Sequence, residues 1–358
     1  MNLKRLWLQS ILLCLCFWGI FVCTGCEHRP LEMRQYEENV FVRVYYNENI
    51  RNVSFGFYDE SKKKPEYSSP KMMRVAFFDN VSDKLVSERY LYDCGRDERG
   101  YYIQGKMNVP NGKYNMLAYN FDTKEIETRN NYSYYAMSAY TEALSESEAN
   151  RFFSSRGDDA TNICRQPDHL FVAKVEEINI DKPIYYEAPD TIKNNTGTYP
   201  VAETIVKTYY LQFNIKGVEH VRSAVALISG MAGSKNMHSN EMVKDDVASI
   251  YFNLNNGKDK ARTSDDIAVA YASFNTFGKL PHTEGYLDVT FEFKTIYNTV
   301  QTETFRITDI FETEMAKENQ WIIIDKVIEI IPPEGSDTGG GMSPGVTDWE
   351  QIEGSITI

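Results

Sequence analysis

The chain has 358 residues, of which 42% are hydrophobic and 25% are charged, so it can fill one large domain or two ordinary ones and is too apolar to be disordered. Its formal net charge of −13 repels phosphate backbones, and no basic stripe offsets that charge, which argues against nucleic acid as a partner. The 24 tyrosines, together with abundant Thr and Val, favour half-buried strands over helices.

Residues 1–25 have the pattern of a secretory signal peptide. Two basic residues near the start precede an apolar stretch that runs to Val22. The stretch ends in Val22-Cys23-Thr24-Gly25-Cys26, which resembles the bacterial lipobox, where the last cysteine is lipidated and then becomes the first residue of the mature chain. We therefore expect Cys26 to be the lipid attachment site, with palmitate-type acyl chains that hold the protein stably at a membrane. The alternative is an uncleaved membrane helix with incidental cysteines.

The cysteine count leaves few thiols for the folded part. Four of the six cysteines lie in the leader or at its end, and only Cys94 and Cys164 remain. In an oxidising compartment these two could form one disulfide, but two isolated cysteines are equally consistent with free thiols. The sequence leaves both alternatives open.

After a short tether at 26–35, residues 36–180 are predicted to form an N-terminal β-sandwich domain. Val40, Val42 and Val44 alternate with other residues, which is typical of a strand with one buried face. Pro110-Asn111-Gly112-Lys113 predicts a β-hairpin, because Asn-Gly tolerates the positive φ angles of a tight turn. Residues 140–153 are the one helix candidate outside the leader. Further strands are predicted at 53–57, 73–78, 85–92, 101–109, 114–121 and 169–175.

Four Pro and Gly residues at 181–200 indicate a domain junction. Residues 201–332 then repeat the pattern as a C-terminal β-sandwich domain, with turns predicted at 229–233 and at Asn256-Gly257. Many short alternating strands favour sandwiches, and the absence of βαβ alternation argues against a parallel sheet. The strands are predicted at 204–215, 223–228, 248–254, 268–274, 286–297, 302–307 and 321–331.

Residues 333–358 form a Gly/Ser/Pro-rich linker followed by a strand-like tail, in which Ile352, Ile356 and Ile358 share one parity and Trp349 has the other. Burying these four side chains contributes about 8 kcal/mol at ~2 each, whereas ordering twelve residues costs about 18 kcal/mol. Only ladder hydrogen bonds can close that gap, so the tail needs a sheet edge that receives it. That edge belongs either to the same chain or to a neighbouring subunit.

The sequence gives no sign of catalysis. None of the five histidines pair at a spacing typical of a zinc site, and no phosphate loop, dinucleotide fingerprint or serine elbow is present. Residues 253–259 match a calcium loop only in part and are interpreted as a turn. We therefore expect no metal, no cofactor and no enzymatic activity. Because two carboxylates suffice for a glycosidase, a hydrolase is the least favoured alternative.

Several motifs resemble one family. They are Val109 to Asn120 with its Pro-x-Gly-x-Tyr and Ala-Tyr-Asn pattern, Ile228 to Ser234, Phe274 to Gly278, and the tail from Gly339 to Glu350. Together they resemble the fimbrillin-like lipoproteins of Bacteroidales, of the pilus-anchor and minor-subunit type.

The resemblance implies an all-β fold of two tandem transthyretin-like β-sandwich domains with a C-terminal strand-like tail. It also implies donor-strand assembly, in which a C-terminal strand fills a groove in another fimbrillin-type subunit, and a lipid-anchored place at the outer membrane and cell surface. The donor-strand candidates are Trp349, Ile352, Ile356 and Ile358.

Polymerising members of that family are cleaved after an arginine in the first domain. Here Arg43 lies inside a predicted strand, and neither Arg34 nor Arg51 stands in an obvious cleavage motif. We therefore expect an unprocessed anchor or accessory subunit that offers its tail strand.

Two further expectations concern carbohydrate. Asp190-Thr191-Ile192, in a predicted exposed loop, resembles the short O-glycosylation acceptor of these bacteria, which makes Thr191 a candidate site. The alternative function is a glycan-binding outer-membrane lipoprotein, in which exposed Tyr and Trp side chains stack on sugars.

Overall fold

The computed structural model describes residues 38–46, 69–152, 162–181, 189–256, 267–281, 287–332 and 349. The predicted leader, the tether with Cys26, the strand at 53–57 and most of the tail lie outside these residues. In the described part of the chain, no helix is both long and apolar enough to cross a bilayer.

The described residues form an almost entirely β structure, which confirms the predicted fold class. In the first half the strands are β1 Val40–Tyr46, β2 Met73–Asp79, β3 Leu85–Leu91, β4 Asp93–Asp97, β5 Gly100–Met107, β6 Gly112–Asn120, β7 Glu127–Arg129, β8 Ser138–Tyr140, β9 Ile163–Cys164, β10 Phe171–Ile180, β11 Asp190–Thr191 and β12 Val201–Thr204. In the second half they are β13 Lys207–Lys216, β14 Val221–Ala232, β15 Ser234–Asn236, β16 Val247–Asn253, β17 Asn255–Asn256, β18 Ile267–Thr276, β19 Asp288–Thr295, β20 Val300–Arg306 and β21 Trp321–Glu329. The helices are α1 Glu146–Phe152, α2 Thr308–Phe311 and α3 Glu314–Asn319, with one 3-10 turn at Val218–His220.

The first sandwich is one sheet folded over itself. Its strand order is β3-β2-β6-β10-β12-β1-β5-β4, and β12 joins the two layers because it pairs with β10 on one side and with β1 on the other. The core lies between the layers, where Val42 of β1, Phe77 of β2 and Phe171 of β10 are fully buried. The predicted alternation in β1 is confirmed, since Val40, Val42 and Val44 all face this core.

The second sandwich consists of two separate sheets. One has the order β17-β18-β13-β21 and the other β20-β19-β14-β16-β9. Their facing sides bury a large aromatic core, in which the rings of Phe213 and Phe291 lie 4.4 Å apart. Most of the described pairings in this sandwich are antiparallel, in line with the argument against a parallel sheet, and the two parallel ones, β21 with β13 and β9 with β16, lie at sheet edges.

The two sandwiches pack directly against each other. Phe78, Leu117 and Tyr119 on the outer face of β2 and β6 meet Phe277 and Leu280 of the second half in one buried cluster. In addition, β15 of the second half pairs with β8, which pairs with β7, and β16 pairs with β9, so strands of the two halves share sheets. Strand β12, at the start of the predicted second domain, belongs to the first sheet. The limits of the two domains stay predictions.

The predicted Asn111-Gly112 hairpin is wrong. Strand β5 pairs with β1 and β4, whereas β6 pairs with β2 and β10, so the segment between β5 and β6 crosses from one layer to the other. The side chain of Asn39 holds this crossover, because it accepts from Val109 N–H at 2.9 Å and donates to Val109 C=O at 2.7 Å. The long-range pairing overrides the local turn signal.

The turn predicted at 229–233 is a bulge within strand β14. The strand continues to Ala232, and its register with β16 shifts between Ile228 and Met231. Gly230 has φ of +75°, which a residue without Cβ adopts at little cost, so the extra residues bend the strand without ending it. The predicted helix at 140–153 is confirmed only over α1.

Neither folded-domain cysteine is bonded to the other: Cys94 is exposed and Cys164 is buried. Burial raises the pKa of the Cys164 thiol to about 12, with a smaller contribution from Asp246, so its thiolate is scarce at neutral pH. We expect iodoacetamide at pH 8 to alkylate Cys94 in the native protein and Cys164 only after denaturation. Peptide mass spectrometry checks this, and protection of both residues until reduction would contradict it.

Candidate functional site at the tail side of the second sandwich

Trp349, seventeen residues after the preceding described residue, lies in the core of the second sandwich. Its side chain is only 4% exposed, and its ring meets Phe293 of β19 edge to face, with centroids 6.4 Å apart. Of the two alternatives left by the sequence, the receiving core for this residue is therefore in the same chain.

The indole lies near strands β20 and β21, each of which is at the edge of its sheet among the described strands. We call the side of the sandwich between these two strands the edge seam. Gln301 of β20 spans the seam, since its amide donates to Glu329 C=O at 2.8 Å and accepts from Ile331 N–H at 3.3 Å. Gln301 of β20 lies directly opposite Phe293 of β19 in the strand register. Because Trp349 packs on Phe293, it lies close to the point where Gln301 spans the seam.

The two edges of the seam differ in regularity. Strand β20 pairs with β19 through seven consecutive residues without a shift, whereas β21 bulges between Ile324 and Val327. A bulge with charged residues protects a sheet edge against further pairing, and here Asp325 and Lys326 occupy it. Strand β20 is therefore the edge better suited to pair with an added strand.

The seam also leaves apolar side chains in solvent. Val300 is 46% exposed, Val327 is 50% exposed and Ile331 is 70% exposed. An open edge flanked by exposed aliphatic residues is the arrangement from which strand addition gains both ladder hydrogen bonds and apolar burial.

Trp349 itself is held by apolar contact alone. Its indole Nε1–H is buried and has no hydrogen-bond partner among the described residues. A buried Trp normally finds an acceptor, and an unmet donor costs about 1–3 kcal/mol. Ring burial of 150–250 Å² contributes about 4–6 kcal/mol at ~25 cal/mol per Å², so the indole is bound with only a modest net gain.

The other sequence-predicted site residues are distributed as follows. Thr191 is exposed, as expected, but it lies in strand β11, where it pairs with Phe41 of β1, rather than in a loop. Arg43 lies inside β1. The lipid-attachment candidate and the three isoleucines of the tail lie outside the described residues: Cys26, Ile352, Ile356 and Ile358.

Among the described residues, no group of three or more His, Cys, Asp or Glu side chains could hold a metal ion. Sequence reasoning missed the seam, because Gln301 carries no local signal beyond that of an ordinary edge strand. The sequence predicted a strand at 302–307, but only the three-dimensional structure places β20 beside β21 and near Trp349.

The described residues have an all-β fold of packed sandwiches that is also found in solved structures of bacterial proteins. A solved structure of a candidate adhesin from Bacteroides ovatus matches with a TM-score of 0.50 and 22% identity, covering 82% of this chain and 93% of that one. The fimbrial anchor protein Mfa2 of Porphyromonas gingivalis matches with a TM-score of 0.42 and 12% identity, over 81% of this chain and 90% of that one.

Sequence comparison identifies the family. The model of DUF5119, a domain of unknown function, matches residues 25–253, and the chain belongs to this family. A Bacteroides ovatus protein named Fim4B, a candidate fimbrium anchoring subunit, is 25% identical over 302 residues, which cover 78% of this chain and 82% of that protein. These matches confirm the resemblance to fimbrillin-like proteins of Bacteroidales that the motifs indicated.

Proposed function

We propose that this chain is a lipid-anchored protein of the outer cell surface that anchors or joins a pilus by β-strand addition. The observation that carries the proposal is Trp349, a residue of the C-terminal tail, seated in the sandwich core beside the edge seam. The named role of the Bacteroides ovatus relative, a candidate fimbrium anchoring subunit, supports the same assignment.

The tail and the edge seam have complementary roles in this assembly. In the isolated chain the tail's indole fills the core beside the seam, where it packs on Phe293 of β19. In the assembled pilus, a strand of a neighbouring subunit pairs with β20, or the tail itself leaves and adds to that neighbour. The modest net gain from Trp349 burial keeps this exchange energetically accessible.

The anchoring part of the proposal rests on Cys26. In the native bacterium we expect Cys26→Ala to abolish incorporation of labelled palmitate into this protein and to release pilus filaments into the medium, because the acyl chains are their link to the membrane. Palmitate labelling, protease shaving of whole cells and electron microscopy of the medium measure the three consequences. Cys94→Ala, which removes an exposed thiol of the folded part, is the matched control.

The outcomes separate the parts of the proposal. Continued palmitate incorporation into the Cys26→Ala protein would refute lipidation at this residue. Loss of the label with filaments still attached to cells would refute the pilus-anchor role and leave a surface lipoprotein of another kind.

A further inference from the structure

A cleft of about 920 Å³ opens at one end of the first sandwich, far in sequence from the tail. The tip of the β4–β5 hairpin, at residues 96–100, forms one wall, and the loop at 193–201 forms the other. Tyr45 and Tyr46, at the end of β1, line its base. This volume lies within the roughly 300–1,000 Å³ of small-molecule sites.

Three cationic side chains line this cleft, and aromatic rings hold them. Arg96 lies over the ring of Tyr101 at 4.6 Å and donates to its hydroxyl at 3.1 Å. Arg99 and Lys193, which come from opposite walls, lie 5.8 and 5.7 Å from the ring centroid of Tyr199. A guanidinium stacked on a ring keeps its N–H edge available for an oxyanion.

No salt bridge joins these cations to a carboxylate within the described residues, although Arg99 is attracted to Asp97 and the chain as a whole is strongly acidic. The nearest acid, Asp97, is already engaged: it accepts from the Tyr45 hydroxyl at 2.6 Å and pairs with Arg43 at 3.4 Å. These contacts hold the pKa of the Asp97 carboxyl below its usual range, the Tyr45 hydrogen bond being the main cause. Asp97 and Glu98 oppose the three cations, and Asp97 is also balanced by Arg43, so the cleft keeps a net positive charge.

We propose that this cleft binds an acidic saccharide, a sugar ring that carries a carboxylate or a sulfate. Arg99 and Lys193 bind the oxyanion, and the half-buried ring of Tyr199 between them packs against the sugar. Charge-assisted hydrogen bonds from an arginine fork favour such oxyanions, and the tyrosine walls suit a flat, partly apolar ring. The site is independent of the proposed pilus role, since it lies in the other sandwich.

Isothermal titration calorimetry on the purified full-length protein tests the site. The probes are trigalacturonate for the carboxylate, a chondroitin sulfate disaccharide for the sulfate, maltotriose as a neutral sugar and hexaglutamate as an acidic peptide. We expect at least one acidic sugar to bind at least about tenfold more tightly than maltotriose or hexaglutamate, and its affinity to fall as salt screens the charges. Whichever acidic sugar binds identifies the oxyanion.

Two variants locate the binding. The double variant Arg99→Gln/Lys193→Gln is expected to lower the affinity for the acidic sugar at least about tenfold, because it removes charge-assisted hydrogen bonds. Lys84→Gln/Lys244→Gln removes two exposed charges elsewhere and is expected to leave affinity unchanged. Circular dichroism confirms that both variants fold. The proposal is overturned if neither acidic sugar binds, or if maltotriose or hexaglutamate binds as tightly as the acidic sugar. It is also overturned if both double variants lose the same amount of affinity.

Discussion

Replacing Trp349 by alanine is expected to lower the free energy of unfolding of the second sandwich by about 3 kcal/mol. The ring is buried against Phe293, and truncating a buried Trp or Phe to Ala costs about 3–5 kcal/mol. The low end of that range applies because the indole N–H has no acceptor, so its removal also relieves an unmet donor. Urea unfolding followed by circular dichroism measures the change in midpoint at constant slope.

Trp349→Phe is the matched control. It keeps an aromatic ring in the core but removes the unmet donor, so we expect a loss below about 1.5 kcal/mol. A Trp349→Ala protein that is as stable as the wild type would contradict the burial of this residue and would remove the observation on which the strand-exchange proposal depends.

A chain truncated after residue 345 extends this test to strand addition. A synthetic peptide with the sequence of residues 346–358 is expected to bind the truncated protein and to raise its melting temperature, since binding to the folded state alone stabilises it. The same peptide with Trp349→Ala is the control. Equal stabilisation by both peptides would show that the indole does not guide the tail to the seam.

The sequence predicts strands well where one face meets the core and the other meets water. Strand β1 is such a case, since Val42 is buried while Arg43 beside it is half-exposed. In β2 and β6 the outer face packs on the second sandwich, so Ala76 and Phe78 are buried together with Val75 and Phe77, and the alternation disappears. A continuous apolar run signals burial on both faces, but it does not identify the second partner.

Pairing between distant strands is what the sequence could not supply. The Asn111-Gly112 signal is local to the turn. The crossover that contains it is instead held by a hydrogen bond between Asn39 and Val109, which are seventy residues apart in the chain. The tail posed a similar problem, because the linker and the strand-like pattern predicted a tail that needs a receiving sheet edge but gave no reason to prefer the chain's own core for Trp349 over that of a neighbour. The cationic cleft was missed since Arg99 and Lys193 meet only through the fold.

Acid is expected to weaken the protein through His169, which is buried where the two sandwiches meet. Its Nδ1 lies 3.2 Å from the Thr204 hydroxyl and its Nε2 lies 3.1 Å from the Thr208 hydroxyl. The Thr208 hydroxyl donates to Asn275 at 2.7 Å, so it accepts from Nε2–H, whereas the single proton of the Thr204 hydroxyl is shared between Nδ1 and the Val206 C=O at 3.2 Å. Burial lowers the pKa of His169 from 6.5 to about 4, although nearby Asp168 opposes the shift.

The direction of the pH effect follows from that lowered pKa. Between pH 6.5 and 4 the unfolded chain binds a proton that the folded chain excludes, so the contribution of His169 is fully present above pH 6.5 and is lost as the pH falls. The loss reaches about 3 kcal/mol at pH 4. Carboxylates also titrate in this range, so the effect of His169 must be isolated with the His169→Gln variant. Urea unfolding gives the loss of unfolding free energy between pH 7 and pH 4 for each protein, and the difference between the two losses is the contribution of His169.

His169→Gln is expected to be less stable than wild type at pH 7, because glutamine cannot match both threonine contacts, but to lose about 3 kcal/mol less on acidification. His220→Gln, at a half-buried histidine beside Tyr297, is the matched control for the loss of an imidazole. Parallel pH profiles for wild type and His169→Gln would mean that the buried imidazole takes up its proton without opening the junction. Since Thr204 belongs to the first sheet and Thr208 to the second sandwich, a confirmed difference would make this junction the acid-sensitive point of the molecule.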